Sequence, residues 1–325
     1  MFSTIYLFVI IVPIIYFIFL FMEGVTMYFQ QKHVQKFMNK YKDRARLLIS
    51  CPDQPGIVAA VTTFLYEKGA NIVESSQYST DPEGGTFFLR IEFDAPNISE
   101  REKAIEKEFA TIAQQFEMKW RLSLHTHVKK VAIFVSKEEH CLLELLWEWQ
   151  AGELLADFAL VISNHEQMRE TVESFGIPYY HIPVTKETKE EAEEKQIQLL
   201  KEHDVDVIVL ARYMQILSPH FVATFPAQII NIHHSFLPAF VGARPYEQAY
   251  RRGVKLIGAT SHYVTDDLDE GPIIEQDVER VDHKHHVEDL KRIGRMIEKT
   301  VLVRALKWHL EDRVIIHENK TIVFK

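Results

Sequence analysis

VAIFVSKEEHCLLELLWEWQAGELLADFALVIS, residues 131–163, holds the pattern on which the fold turns. Val131 to Val135 is an apolar run of strand length, Leu142 to Trp149 reads as a helix, and Ala159 to Ser163 is strand-like again. The alternation continues with a helix over Glu166 to Phe175, a strand at Tyr179 to Ile182, an acidic helix over Lys189 to His203 and a strand at Val207 to Leu210. Strands alternating with helices predict an α/β domain built on a mostly parallel sheet with helices on both faces. Ligands of such sheets bind beyond the carboxyl ends of the strands. Those ends include Asn164, the run Ala211 to Met214, and the pair Asn231 and His233. A long helix between Val287 and Trp308 packs on the sheet, and Arg313 to Phe324 reads as a closing hairpin turning at Asn319-Lys320.

Working back toward the N-terminus, residues 125–130 (HTHVKK) are polar and read as a linker. Residues 44–124 follow a second plan. Ala45 to Ser50 is a strand, Asp53-Gln54-Pro55-Gly56 a turn, and Ile57 to Lys68 a helix. Asn71 to Thr80 and Thr86 to Phe93 are strands joined at Asp81 to Gly85. Ser99 with Glu102 predicts a capping box for a helix ending near Phe116, before a last strand at Met118 to Ser123. This β-α-β-β-α-β order is ferredoxin-like. With its D-Q-P-G-I-V turn it resembles an ACT domain, which implies an amino-acid effector gripped by Asp53, Gln54, Pro55, Gly56 and Ile57. A module that only pairs two copies of the chain is the equal alternative.

Residues 1–37 form a hydrophobic extension, and Met1 to Met22 carries no charged residue. As a helix it would be about 33 Å long, enough for a bilayer. Lys32, Lys36, Lys40, Lys42, Arg44 and Arg46 follow it, which by the positive-inside rule would leave the remainder cytoplasmic. A signal peptide fits poorly, lacking a basic start and a small-residue cleavage site. The favoured expectation is an over-extended start, with Met22, Met27 or Met38 as the true one; a single-pass anchor is the alternative.

The 325 residues suffice for two cored domains, and a net charge of -9 argues against a nucleic-acid partner. Cys51 and Cys141 alone are neither a disulfide framework nor a zinc set, and they suit a reducing cytosol. No metal-binding spacing occurs, so neither a metal nor another cofactor is expected.

The chemistry concentrates in IINIHHSFLPAFVGARPY, residues 229–246, and VTDDLDEGPII, residues 264–274. Residues two apart on a strand share a side, so Asn231 and His233 aim together while His234 points away. An amide and an imidazole side by side suit a carbonyl oxygen that gains charge when attacked. Asp269, in its Leu-Asp-Glu-Gly-Pro turn, is placed to handle a proton. The same residues could equally tidy a strand end and close a turn.

N-x-H-x-S-x-L-P-x-F-x-G followed by H-Y-V-T and L-D-x-G-P resembles the formyltetrahydrofolate formyltransferases, where the matching Asn, His and Asp form the formyl-transfer site. Ala211 to Pro219 (ARYMQILSP) admits two readings. Met214, Ile216 and Leu217 are core residues entering a helix capped by Ser218-Pro219, or they match the segment lining the folate pterin pocket. The resemblance implies folate contacts from Arg212, Tyr213, Met214, Ile216, Leu217 and Ser235, with His262 and Thr265 in support. Relatives that formylate glycinamide ribonucleotide carry a glycine-rich loop after the first strand, which cradles a phosphate. Here Ser136 to Cys141 (SKEEHC) has no glycine, and its two carboxylates would repel a phosphate. With the acceptor device missing, water is the simplest acceptor, and the chain from Arg44 to Phe324 resembles the formyltetrahydrofolate deformylases.

That resemblance implies hydrolysis of 10-formyltetrahydrofolate to tetrahydrofolate and formate, within one-carbon and purine metabolism. It also implies glycine and methionine as effectors, a homo-oligomer, and a membrane partner only if residues 1–22 are retained. Met296 stands where the family suggests Asp, which puts that helix's contacts in doubt. A formyltransferase for an amine without a phosphate, or an inactive amino-acid sensor, are the alternatives.

Overall fold

The computed structural model describes residues 34–81, 83–239 and 244–325, so the expectations for residues 1–22 lie outside the described residues. No helix among the described residues is long and apolar enough to cross a membrane. The N-terminal sheet contains β1 (Arg44–Pro52), β2 (Asn71–Ser79), β3 (Thr86–Asp94) and β4 (Lys119–Leu124), in the order β2-β3-β1-β4 and antiparallel throughout. α1 (Ile57–Glu67) and α2 (Ile98–Gln115) cover one face. Val61, Phe64, Leu65, Ile105 and Phe109 seal a core against Leu47, Ile49, Leu89 and Ile91. The other face carries Arg46, Arg90 and Glu92, all buried.

The larger sheet is built on β5 (Lys130–Val135), β6 (Asp157–Ser163), β7 (Tyr179–His181), β8 (Val207–Leu210) and β9 (Ile229–His233), all parallel. β10 (Leu256–Tyr263) and β11 (Ile273–Arg280) extend it antiparallel, giving the order β11-β10-β9-β8-β5-β6-β7. The apolar run at Val131 to Val135 is explained by burial on both faces. Val131, Ile133 and Val135 enter one core, while Ala132 and Phe134 enter the other. Strand order reverses between β5 and β8, the crevice where such sheets receive ligands. Ser136 at the end of β5 bridges it, its hydroxyl donating to Asn164 Oδ1 at 2.8 Å and accepting from Met214 N at 3.0 Å.

Two expectations need correction. Asn97, at φ 56°, and not Ser99 precedes α2, and neither Ser99 nor Glu102 makes a capping bond. The approach is tied to the preceding turn instead: Asn97 N donates to Asp43 Oδ1 at 2.8 Å, and the Ser99 hydroxyl to Lys42 O at 3.4 Å. The helix expected over Glu166 to Phe175 is the short α4 (Arg169–Glu173), which follows α3 (His140–Ala151) in chain order. The segment 125–130 joins the two sheets and is partly drawn inward: His125 is buried, Lys129 is nearly so, and Lys130 opens β5.

α5 (Lys189–Glu202), α6 (Pro219–Thr224) and α7 (Pro245–Arg252) complete the connections, and α8 (Val287–Leu310) packs along the sheet. A small hairpin, β12 (Val314–His317) and β13 (Lys320–Val323), closes the chain. Met296 is 58% exposed on α8, so the departure from the expected Asp faces solvent. Gly294, on the same helix, lies under Tyr246: a Cβ there would come within 1.8 Å of its hydroxyl. Gly294→Ala is therefore expected to lower stability by about 2 kcal/mol through overpacking. Alanine's better helix propensity, worth only about 1 kcal/mol, offsets part of this. Thermal unfolding of the two proteins checks it, and an unchanged or raised midpoint would disprove the clash.

Candidate active site

Along β9, Ile230 and Ile232 enter the core while Asn231 and His233 share the opposite side. β10 lies antiparallel to β9 in a register that places His262 opposite Asn231. The loop 264–271 then folds back, with Asp269 at φ 59°, and returns a carboxylate to the same spot. Asp269 Oδ2 stands 3.2 Å from His233 Nδ1, and Oδ1 stands 3.7 Å from His262 Nε2. Burial opposes charge on Asp269, but His233 and His262 beside it outweigh that cost and hold the carboxyl well below the usual range.

Two ring orientations follow from the contacts. His262 Nδ1 lies 2.9 Å from the Tyr263 carbonyl and so carries a proton that it donates there. Its Nε2, 3.1 Å from Asn231 Nδ2, then accepts one amide N–H and fixes which end of the Asn231 amide faces outward. The second N–H of that amide is left for a ligand. In His233, Nδ1 faces Asp269 while Nε2 is buried with no partner among the described residues. A buried polar atom without a partner is costly unless a ligand serves it. Asn231 and His233 thus present nitrogen atoms to one place, backed by a carboxylate and a second imidazole.

The other expected contacts divide. Met214 and Ile216 are 58% and 61% exposed, outside any helix, so the reading of them as core residues fails. They stand exposed on the loop after β8. Ser218 does cap α6, its hydroxyl accepting from Phe221 N at 3.2 Å. Leu217 is half-buried against the core, and Tyr213 lies within it, where its hydroxyl accepts from Gln196 Nε2 at 3.1 Å. Ser235 donates to Ala239 O at 2.8 Å and Thr265 to Asp267 O at 3.2 Å, so both hydroxyls are held inside their own loops.

Arg212, at φ 63°, turns away from the trio towards Glu298, with Nε 3.4 Å from the carboxylate. Glu298, 1% exposed, also accepts from His140 Nε2 at 2.8 Å and from the Tyr246 hydroxyl at 2.6 Å. Burial opposes its charge, yet His140, Arg212 and Tyr246 hold it down at about 2. His234 points to this side too: burial and Arg212 push its imidazole down to about 3, leaving it neutral. The cluster ties α3, the β8 and β9 loops and α8 together behind the trio. His140, Cys141 and Glu298 lie close enough to hold a cation, but burial pushes the Cys141 thiol well up and Arg212 already neutralises the carboxylate. Glu298 lies about thirty residues from Asp269 and carries no local signal. Only the helical spacing Gly294–Glu298, which sets both against Tyr246, hints at it.

In the N-terminal module, Asp53 is half-buried, its N–H donating to Gly85 O at 2.9 Å and its carboxylate accepting from the Ser79 hydroxyl at 2.5 Å. Gln54, Pro55 and Gly56 are exposed, and Ile57 is buried. Gly56, at φ 97°, lets the chain enter α1 from this open turn.

The formyl transferase family model matches residues 129–306, and the ACT domain model residues 45–110. The chain is 63% identical over 296 residues to a formyltetrahydrofolate deformylase of Bacillus subtilis (strain 168), covering 91% of this chain and 99% of that one. A Mycobacterium tuberculosis (strain ATCC 25618 / H37Rv) protein of the same name is 54% identical over 87% of this chain and 91% of its own length. Among solved structures, a formyltetrahydrofolate deformylase from Pseudomonas syringae pv. tomato str. DC3000 superposes with a TM-score of 0.83 at 49% identity, covering 90% of this chain and 99% of that one. A glycinamide ribonucleotide transformylase 1 from Symbiobacterium toebii gives 0.58 at 29% identity, covering 61% and 95%.

Proposed function

The chain belongs to the formyltetrahydrofolate deformylase family, and we propose on that premise that Asn231, His233 and Asp269 carry out the reaction. The activity is hydrolysis of 10-formyltetrahydrofolate to tetrahydrofolate and formate. Water attacks the formyl carbon, a new C–O bond forms, and the carbonyl oxygen becomes an oxyanion. The outward N–H of Asn231 and the Nε2–H of His233 stabilise that charge, each well-placed donor being worth about 3–4 kcal/mol. Asp269 faces Nδ1 at 3.2 Å and fixes the ring so that Nε2 points towards the oxyanion. Asp269 also orients the water and passes its proton to the folate nitrogen as the C–N bond breaks, releasing formate. Met214 and Ile216 receive the pterin end of the folate, beside main-chain groups of their loop. Water and the folate are the only reactants, with no cofactor in the scheme.

Glycine and methionine are the proposed effectors of the ACT domain, at Asp53 to Ile57. The proposed setting is the cytoplasm, and the proposed assembly a homo-oligomer. The observation that carries the catalytic reading is the buried Nε2 of His233, without a partner among the described residues, on the same side of β9 as the Asn231 amide. Incubation of the purified chain with 10-formyltetrahydrofolate and no amine should release formate and tetrahydrofolate in equal amounts. Release that waits for an added amine would replace hydrolysis by transfer.

A further inference from the structure

We propose that Tyr263 and His309 are positioning residues through which the ACT sheet, by its hold on Asp312, sets the geometry of Asn231, His262 and Asp269. This rests on the reading of Asn231, His233 and Asp269 as the reacting trio.

The hold begins just beyond α8. Asp312, 1% exposed, accepts from Arg46 Nη1 at 3.3 Å, Arg121 Nη2 at 2.6 Å and the Ser123 hydroxyl at 2.8 Å. All three donors belong to β1 and β4 of the ACT sheet. Arg90, on β3 and fully buried, donates from Nε to the Asp312 main-chain oxygen at 3.1 Å. Three strands of one module thus converge on one residue of the other. Lys129, in the segment joining them, donates to both the Asp312 carboxylate and His309 O at 2.7 Å.

From there the contacts run to the reacting groups. His309 Nδ1 lies 2.7 Å from the Tyr263 hydroxyl. Tyr263 is 3% exposed, and its carbonyl receives the Nδ1 proton of His262 at 2.9 Å. The loop carrying Asp269 presses on that same carbonyl: a Cβ on Gly271 would come within 1.8 Å of it. A displacement of Tyr263 therefore moves His262 and the Asp269 loop together, and with them the outward face of Asn231. No contact in this series touches the space in front of His233 Nε2, so a loss here lowers turnover and leaves folate affinity in place.

A double-mutant cycle tests it. Tyr263→Phe removes one oxygen, and Arg121→Met removes a guanidinium whose side chain is 54% exposed, so the second variant folds even if the first does not. The expected result is a roughly five- to ten-fold fall in kcat for Tyr263→Phe with KM unchanged, since a slightly misplaced group costs rate before binding. Arg121→Met should lower kcat by roughly two- to three-fold, and the double variant should lose less than the product of the two. His309→Gln, which keeps a hydrogen-bonding partner for the hydroxyl, should retain more activity than His309→Leu. Unchanged kcat in Tyr263→Phe, or a KM rise alone, would overturn the positioning role. Multiplicative losses in the cycle would overturn the link to the ACT sheet. His233→Ala in the same assay separates the two readings: if it remains active, the trio itself is wrong. If it is dead while Tyr263→Phe is normal, only the present inference falls.

Discussion

Asp269→Asn lowers kcat roughly a thousand-fold at saturating folate, within the range that a positioned proton-transfer group supplies. The two side chains have the same shape, so the φ 59° backbone and the loop around it are retained. What changes is charge and direction. The carboxylate can only accept from His233 Nδ1, 3.2 Å away, whereas an amide can turn an N–H towards that nitrogen instead. His233 Nδ1 loses the carboxylate it faces, and the attacking water loses its proposed proton acceptor. KM should change little, because the proposed pterin contacts lie on the loop after β8. The check is kcat with unfolding monitored in parallel. A folded variant keeping more than a tenth of the activity would remove Asp269 from the chemistry.

The largest effect on stability is expected at Asp312, just beyond α8. Asp312→Ala leaves Lys129 and Arg46, both largely out of water, and the half-exposed Arg121 without their shared anion. Breaking such a pair from one side costs about 3–5 kcal/mol, because the stranded charges stay buried. At roughly 2–4 °C per kcal/mol, the unfolding midpoint should fall by about 10 °C. Asp277→Ala gives the contrast: its bond to Arg304 joins side chains 41% and 47% exposed, and such pairs are worth about 0–1 kcal/mol. Equal midpoints for the two variants would show that the junction contributes nothing.

The pH dependence has a fixed sign. His234 and His309 titrate near 3 in the folded chain, lowered by burial and by nearby cations. Their contribution is whole above the ordinary histidine value of about 6.5 and is lost as pH falls towards 3. Burial opposes charge on Asp312, but Lys129 and Arg121 outweigh it and depress its carboxyl, as partners also do for Glu298. Those contributions fade below about 4.5. Stability should therefore rise from pH 3 to about pH 7 in two stages, and Asp312→Ala should flatten the lower one.

Residues 131–135 were legible because burial on both faces leaves an uninterrupted apolar signature that few other settings produce. Asn231 and His233 were legible because the two-residue period of a strand decides which side chains travel together. Asp269 came from its motif: no spacing rule says that a loop between antiparallel strands folds back onto the strand before them. For Ser235 and Thr265 the sequence could not show that each hydroxyl donates inside its own loop, because a hydroxyl held there has the same sequence as one that waits for a ligand. Arg212 and Glu298 show the opposite difficulty, since their partners come from elements spread across most of the larger module. The junction was hidden by the rule that serves most charges well. Lys, Arg and Asp near a polar segment are usually solvated, and here they pair inward.

That inward pairing has a bearing on transplantation. Because Arg46, Arg90, Glu92 and His125 are buried against the companion module, the ACT unit has only one face that suits water as it stands. Moved onto another enzyme without a stand-in for Asp312, it would bring along a dry patch of guanidinium groups. A graft of this regulator has to carry the end of α8 as part of the cassette, so the portable piece is discontinuous in the gene.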